Sequence, residues 1–434
     1  MRTNQLISHN IGIGANSNSH GAERLNRPPH SPEDIPKPIQ PILFAFLAMV
    51  YLPVQIVEMN LFKYIGFILA AIALISVLRT KNRLLVHPFS IALFVMILAG
   101  TLGTLDSGLG AITGIIKMVM NLLLFWIIAY YISSPRAETF LVFSLAFGGL
   151  LTVISGLAEI GNFETAMRLS GFIGNPNGYG QTCIQSAILA IGFINYFRYK
   201  RQRLLSLIIL MLCGIGLLFS QSRGATVAML SVLFGLLILK HTRNWGLVLA
   251  AGVMIAASVI IPAKLIDRWE TAFSTQKGGR ESGIEMRLDL VNRGWRIFEE
   301  HPLIGVGFNN TRYEMLRDDP NKSKVTHNFF VEGLSETGII GMAGFLFILF
   351  RTGWAFFTRA RQKTLTRDFL GITFYLLLIS VCIGQLSSGN YLHPIWYILF
   401  GIGANVSRRT NKNTQIAINY LGNGYVVSRR TSTA

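Results

Sequence analysis

The segment "VTHNFFVEGLSETG", Val325 to Gly338, sets one histidine, His327, directly ahead of an apolar helical pattern that also carries Glu332 and Glu336. Imidazole is the side chain whose ordinary pKa lets it accept a proton near neutral pH. His327 is therefore read either as a general base or as an interfacial histidine satisfied by its neighbours. Three arginines bear on the choice. Arg168 precedes "GFIGNPNGYG", Arg223 lies in the short turn "SQSRGAT", and Arg287 falls within "IEMRLDLVNRGWRIFEE". Guanidinium groups make forked, charge-assisted bonds to phosphate oxygens. If all four residues share one face of the molecule, function is favoured over a structural histidine.

Other residues could join them. Glu332 and Glu336 are i and i+4 and share a helix face, but lie five and nine residues past His327 and point away from it. Carboxylates at membrane depth face a cavity or a basic partner. Pairing to an arginine of a neighbouring span or loop is the preferred reading, with direct catalysis as the alternative. Lys117, inside an apolar run, either pairs with one of these glutamates or meets an anionic ligand. "GNPNGYG" (174–180) is a tight loop or the lip of a pocket. "HPLIGVGFNN" (301–310) is a Pro/Gly turn rather than a phosphate loop, and "RDD" (317–319) is a solvated turn.

The elements that must position these groups are helices in a bilayer. Of 434 residues, 51% are hydrophobic and 14% charged, with mean hydropathy +0.47. Apolar runs recur at the roughly 17–25 residues that cross a membrane. The fold class expected is all-α: a polytopic membrane protein of about twelve transmembrane helices, with one long periplasmic loop containing an amphipathic helix. The spans read are 39–57, 61–78, 87–103, 109–133, 137–160, 178–197, 203–220, 225–239, 245–262, 328–350, 368–386 and 391–406. Residues 1–38 form a disordered polar tail, 39–262 the first nine spans, 263–327 the periplasmic loop, 328–406 the last three spans, and 407–434 a second tail. The cysteines Cys183, Cys213 and Cys382 lie in apolar runs without metal or redox spacing. No metal or cofactor is implied.

Charge sets the orientation. The net charge of +18 collects in short connections such as "RTKNR", "SPR", "RYKRQR" and "TRARQKTLTR", all on one side of the twelve-span reading. The positive-inside rule makes that side cytoplasmic, with both termini inside, and accounts for the charge without a nucleic-acid partner. Arg168, Arg223, Arg287 and His327 then fall on the other side, where basic residues work against insertion. The long loop is nearly neutral, and Ile284, Leu288, Val291, Trp295 and Phe298 form an apolar stripe along its helix. At about 100° per residue, Glu285, Asp289, Asn292, Arg293, Arg296, Glu299 and Glu300 spread over the opposite face. Arg287 alone stands at the edge of the stripe and points inward. Thr326 is read as the N-cap of the helix after His327.

These motifs, with His327 and Gly338 in an H-x10-G arrangement and "SQSRGA", "MRLDLVNRGW" and "PLIGVGFNN" around them, resemble the O-antigen ligase and polymerase superfamily. The resemblance runs from about residue 40 to 406. It implies a metal-independent bacterial inner-membrane glycosyltransferase that moves glycan off undecaprenyl diphosphate, with its active site on the periplasmic side. In that reading His327 is the catalytic base, and Arg223, Arg287 and Arg168 hold the diphosphate. The arginines depart from an R-x3-L pattern seen in some ligases, being followed at that offset by Val227 and Val291. The acceptor expected is a sugar hydroxyl of the lipid A core. A polymerase that extends a second lipid-linked repeat unit is the alternative. A transporter would be favoured by discontinuous spans and an internal repeat, and neither is visible in the sequence.

A reporter fused near residue 275 is expected to be exported and one fused near residue 362 to stay in the cytoplasm. The reverse at either position overturns the twelve-span reading.

Overall fold

The structure is a computed structural model that describes residues 35–51, 65–69, 71–72, 75, 87–105, 110–159, 168–196, 199–239, 283–318, 326–362 and 369–422. The expected tail 1–34 and ninth span (245–262) lie outside the described residues, as does much of the second span. Within them the chain is helical and has no strand. The helices are α1 (Gln40–Ala48), α2 (Pro88–Thr104), α3 (Gly110–Tyr131), α4 (Pro135–Leu157), α5 (Pro176–Tyr196), α6 (Lys200–Ser220), α7 (Arg223–Ile238), α8 (Gly283–Glu300), α9 (Thr311–Asp318), α10 (Phe329–Arg361), α11 (Phe369–Ser388) and α12 (Pro394–Gly422). Five of them, α3, α4, α6, α10 and α11, contain stretches long and apolar enough to cross a membrane, and α2 and α7 are shorter apolar helices.

Local sequence explains where the helices start and stop. Proline at the first helical position opens α2 and α4, where its missing N–H would have no partner in any case. His87 and Ser134 cap them through side-chain acceptors. α6 ends at Gln221 in the left-handed conformation, which lets α7 start two residues later. The helices alternate in direction and pack α5 on α6, α7 and α5 on α11, α3 on α12, and α2 and α11 on α10. This gathers Arg168, the start of α7, the start of α10 and the end of α11 at one end of the bundle. α12 continues past residue 406 to Gly422, since no proline or glycine interrupts the polar stretch that follows its apolar part.

Two expectations need correction. α10 is discontinuous, although the sequence displays no break. At Gly338 the backbone takes φ 61, ψ −169, a region open essentially to glycine alone. The segment 302–307 docks there: Val306 and Gly307 donate to the carbonyls of Ser335 and Glu336, and Ile339 and Ile340 donate to those of Pro302 and Leu303. The broken helix therefore recovers its backbone hydrogen bonds from the loop, as it must inside protein. Phe308 follows, fully buried against Gly100 of α2 and Gly114 of α3. Taking that ring out of water contributes about 1.5–3 kcal/mol to anchoring the loop.

The second correction concerns α8. It packs through Leu290, Gly294 and Ile297, which meet Val306, Met315, Thr326 and Val331, while Phe298 of the stripe packs against the main core. Gly294 decides this, because without a side chain it lets the helix close on Thr326 and Val331. Leu288 and Trp295 of the stripe are 55% and 42% exposed, an apolar strip facing away from the bundle. Asp289 and Arg293, expected on the solvent face, pair with each other at 3.0 Å and are partly buried.

Gly338→Ala is expected to cost at least the roughly 1–3 kcal/mol of a strained backbone, and more because its Cβ would strike Leu303. Gly353→Ala, on the same helix with ordinary packing space, is expected to be neutral or stabilising. Thermal unfolding of the two purified variants checks the pair, and equal midpoints overturn the account of the break.

Candidate active site

The end of the bundle where α6 turns into α7 carries an open cleft of ≈ 390 Å³, lined by Arg168, Asn177, Gln221, Arg223, Gly224, Arg287 and Ser387. All three arginines singled out from the sequence meet here, from segments far apart in the chain. Arg223 is the first residue of α7. It thus places a cation at a helix N-terminus, where unpaired N–H groups already favour an anion. Arg287 stands at the edge of the apolar stripe, in line with Gly294 and next to the packed face of α8. Neither arginine has a hydrogen-bond or ion-pair partner among the described residues. Burial and, secondarily, the charge of Arg223 push Arg287 below the usual guanidinium pKa.

Arg168 is held differently. Its Nε donates to the carbonyl of Ser220 at 2.9 Å, and its Nη2 donates to Asn177 Oδ1 at 3.1 Å and to the Gln221 carbonyl at 3.3 Å. A cation on the last carbonyls of α6 complements that helix dipole. It also fixes the turn that aims Arg223. Arg168 is thus a wall of the cleft and a clamp on its geometry.

His327 is half-buried and does not line the cleft. Its backbone lies against Gly389, where an added Cβ would come within 2.6 Å of the histidine Cα. Gly389 is two residues past Ser387, which does line the cleft. His327 has φ 54, a left-handed value uncommon outside glycine. Gln221 and Asn309 are the other described non-glycine residues of this kind. Such strain persists only where the surroundings enforce it, often at functional sites. The N-cap of α10 is Asn328, not Thr326: its Oδ1 accepts from the N–H groups of Phe330 and Val331. The left-handed turn at His327 brings Asn328 into the capping position and frees the histidine side chain from that task.

Glu332 and Glu336 are buried but do not pair with an arginine. Glu336 Oε2 accepts from Tyr391 at 2.6 Å and also takes the N–H groups of Asn309 and Thr311. Glu332 lies beside Thr326, whose hydroxyl donates to the Asn328 carbonyl at 3.1 Å, and Glu332 Oε2 has no hydrogen-bond partner among the described residues. Lys117, exposed on α3, is the cation whose charge acts on both glutamates. The arginines are committed to the cleft, so hydroxyl and amide donors hold Glu336 in their place. Glu336 thereby ties the docked loop to the α11–α12 connection.

Residues 208–346 match the model of the family described as O-antigen ligase. This match supports a relation to the O-antigen ligase superfamily. No curated protein matches the chain. The matched region starts within α6 and ends past the break in α10, so it contains Arg223, Arg287, His327 and Gly338. The apolar helices are long enough to cross a membrane, and the match supports glycosyltransferase activity of the O-antigen ligase and polymerase type in general.

Sequence reasoning singled out the arginines but missed several of their partners. Asn177 and Gln221 lay inside motifs already noted, "GNPNGYG" and "SQSRGAT", without a stated role. Ser387 and Tyr391 carried no local signal, because their importance depends on contacts with distant residues.

The cleft should bind a diphosphate. Arg287→Ala is expected to weaken inorganic pyrophosphate binding, measured by calorimetry on the purified protein, by roughly ten- to a hundred-fold, the cost of one charge-assisted hydrogen bond. Arg287→Lys should recover only part of this, since a point charge cannot form the fork. Arg293→Ala should bind as wild type because that guanidinium is already on Asp289. Equal losses at 287 and 293 would mean that the helix supplies only general positive charge.

Proposed function

We infer that the protein is an O-antigen ligase, which transfers an oligo- or polysaccharide from undecaprenyl diphosphate to a sugar hydroxyl of the lipid A core on the periplasmic side of the inner membrane. The observation that carries this reading is the pair of guanidiniums, Arg223 and Arg287, that converge on one cleft without a protein counter-ion. Two unpaired cations beside a helix N-terminus form a site for a multiply charged anion. The cleft opens to the outside of the bundle. It suits a diphosphate with lipid and glycan running out of it, not an enclosed small substrate.

The chemistry follows from those charges. The acceptor oxygen attacks the anomeric carbon, the bond from that carbon to the diphosphate oxygen breaks, and the electron pair leaves with undecaprenyl diphosphate. Charge growing on the leaving group is stabilised by Arg223 and Arg287, whose positions Arg168 and the packed face of α8 hold. This is the part a divalent cation plays in other transferases, so the reading is metal-independent. A neutral sugar hydroxyl is a weak nucleophile, and His327 takes its proton. The exposed strip of Leu288 and Trp295 supports placing α8 against the membrane surface, beside the lipid that enters the cleft. Glu332, Glu336 and Lys117 act structurally, through Tyr391 and the docked loop.

His327→Gln is expected to lower single-turnover transfer by about 10²–10⁴-fold, with pyrophosphate binding nearly unchanged. Wild-type transfer should fall as pH drops through the imidazole range, near about 6.5, whereas the variant's residual rate should not. Full wild-type rate in the folded variant would remove His327 from the chemistry. Reconstitution of the full chain with lipid-linked donor and either lipid A core or a second lipid-linked repeat unit checks the acceptor. Extension of the repeat unit alone would make the protein a polymerase.

A further inference from the structure

The opposite end of the bundle carries a second group of charges that transfer does not use. Glu138, in the first turn of α4, is fully buried and paired on both oxygens: Arg359 of α10 meets Oε2 at 2.8 Å, and Arg409 of α12 meets Oε1. With that carboxylate taken, the neighbouring cations have no protein counter-ion. Arg408 is half-buried, has no hydrogen-bond or ion-pair partner among the described residues, and has its Nη2 enclosed. Arg351 of α10 has only the hydroxyl of Ser407, at 3.3 Å.

His87 completes the group. Its Nδ1 accepts from the N–H of Phe89 at 3.3 Å, which puts the ring proton on Nε2 as a donor. Burial first, then the charges of Arg408 and Arg351, lower its pKa to about 4. The imidazole is therefore neutral here and adds a donor without a competing charge. The positive end of the α2 dipole lies at the same place. α2, of 17 residues, spans about 25 Å, so this group is separate from the cleft, which lies at the other end of the bundle. Burying a guanidinium with nothing opposite it is unfavourable, and the counter-charge must come from outside the described fold.

We propose that Arg351, Arg408, Ser407 and the Nε2 of His87 form a binding site for a phosphate anion at the end of the bundle remote from the cleft. Forked guanidiniums, a hydroxyl and a ring N–H match the oxygens of a phosphate monoester or diester. The site begins where the buried apolar part of α12 ends, at Val406, the level at which the headgroup of an anionic lipid would lie. Free phosphate offers the same chemistry.

The test uses the full chain purified in neutral detergent and does not depend on transfer. Phosphatidylglycerol, phosphatidylcholine and inorganic phosphate are titrated separately, with retained ligand read by native mass spectrometry and stabilisation by thermal midpoint. Phosphatidylglycerol is expected to bind saturably, and Arg408→Gln to weaken it roughly ten- to a hundred-fold. Arg351→Gln, an exposed position that should not disturb folding, is expected to weaken it in the same direction. Arg361→Gln, at the same helix end with its guanidinium over Phe357, should bind as wild type. A response to inorganic phosphate that Arg408→Gln also removes identifies free phosphate as the source, and a response to phosphatidylglycerol alone identifies a lipid headgroup. The proposal is overturned if neither probe binds saturably, if phosphatidylcholine binds as well as phosphatidylglycerol, if wild type and both cluster variants bind alike, or if Arg361→Gln loses as much as Arg408→Gln.

Discussion

Arg223 and Arg287 repel each other across one cleft, and the rest of the functional end is arranged around tolerating that repulsion. A guanidinium does not shed its charge under physiological conditions, so the fold must supply rigid positions for both and keep carboxylates from neutralising them. Arg223 is fixed as the first residue of α7 by a turn that Arg168 clamps through the carbonyls of Ser220 and Gln221. Arg287 is fixed by the packed face of α8, where Leu290 and Ile297 are buried. Two nearby carboxylates are occupied elsewhere, Asp289 by Arg293 and Glu336 by Tyr391. The result is an uncompensated positive site, which selects a strongly anionic ligand.

α8 belongs to a segment outside the main bundle, and the break in α10 is what secures it there. The exposed carbonyls of Ser335 and Glu336 receive the docked loop, Phe308 anchors that loop between α2 and α3, and α8 closes over the start of α10 through Gly294. The α11–α12 connection joins the same assembly through Tyr391 on Glu336 and Gly389 against His327. A discontinuous helix is a feature of transporters as well. Here loop backbone fills the break, so it serves as a socket for the α8 segment and not as the wall of an ion path.

The two ends of the bundle treat buried charge differently. At the cleft end Arg223 and Arg287 have no ion-pair partner among the described residues, and Glu336 is held by neutral donors. At the far end Glu138 bridges Arg359 and Arg409, which ties α4, α10 and α12 together. Removing one partner from such a pair is more damaging than never having formed it, because the other charge is left buried alone. The far-end pair is therefore a structural joint, whereas the unpaired arginines of the cleft are free to meet substrate.

The sequence by itself determined the helical class, the places of most of the described apolar helices, and the arginines and histidine to examine. Long apolar runs and proline or polar caps are local signals, and a basic residue outside the sign rule is visible without any contact. It also set apart Gly338, through its spacing from His327, but not the reason for that glycine. Only the tertiary structure decided that Arg168, Arg223 and Arg287 share one cleft, because their convergence depends on packing between segments far apart in the chain. It decided that α8 packs by Leu290, Gly294 and Ile297 and not by the whole of its larger apolar stripe. Hydrophobic periodicity ranks faces by size, whereas packing selects the face that lets two backbones approach. It decided that α10 breaks, since the partner that makes the break affordable is a loop some thirty residues earlier. And it assigned Tyr391, rather than an arginine, to Glu336, a choice set by which donor the fold brings within reach of a buried carboxylate.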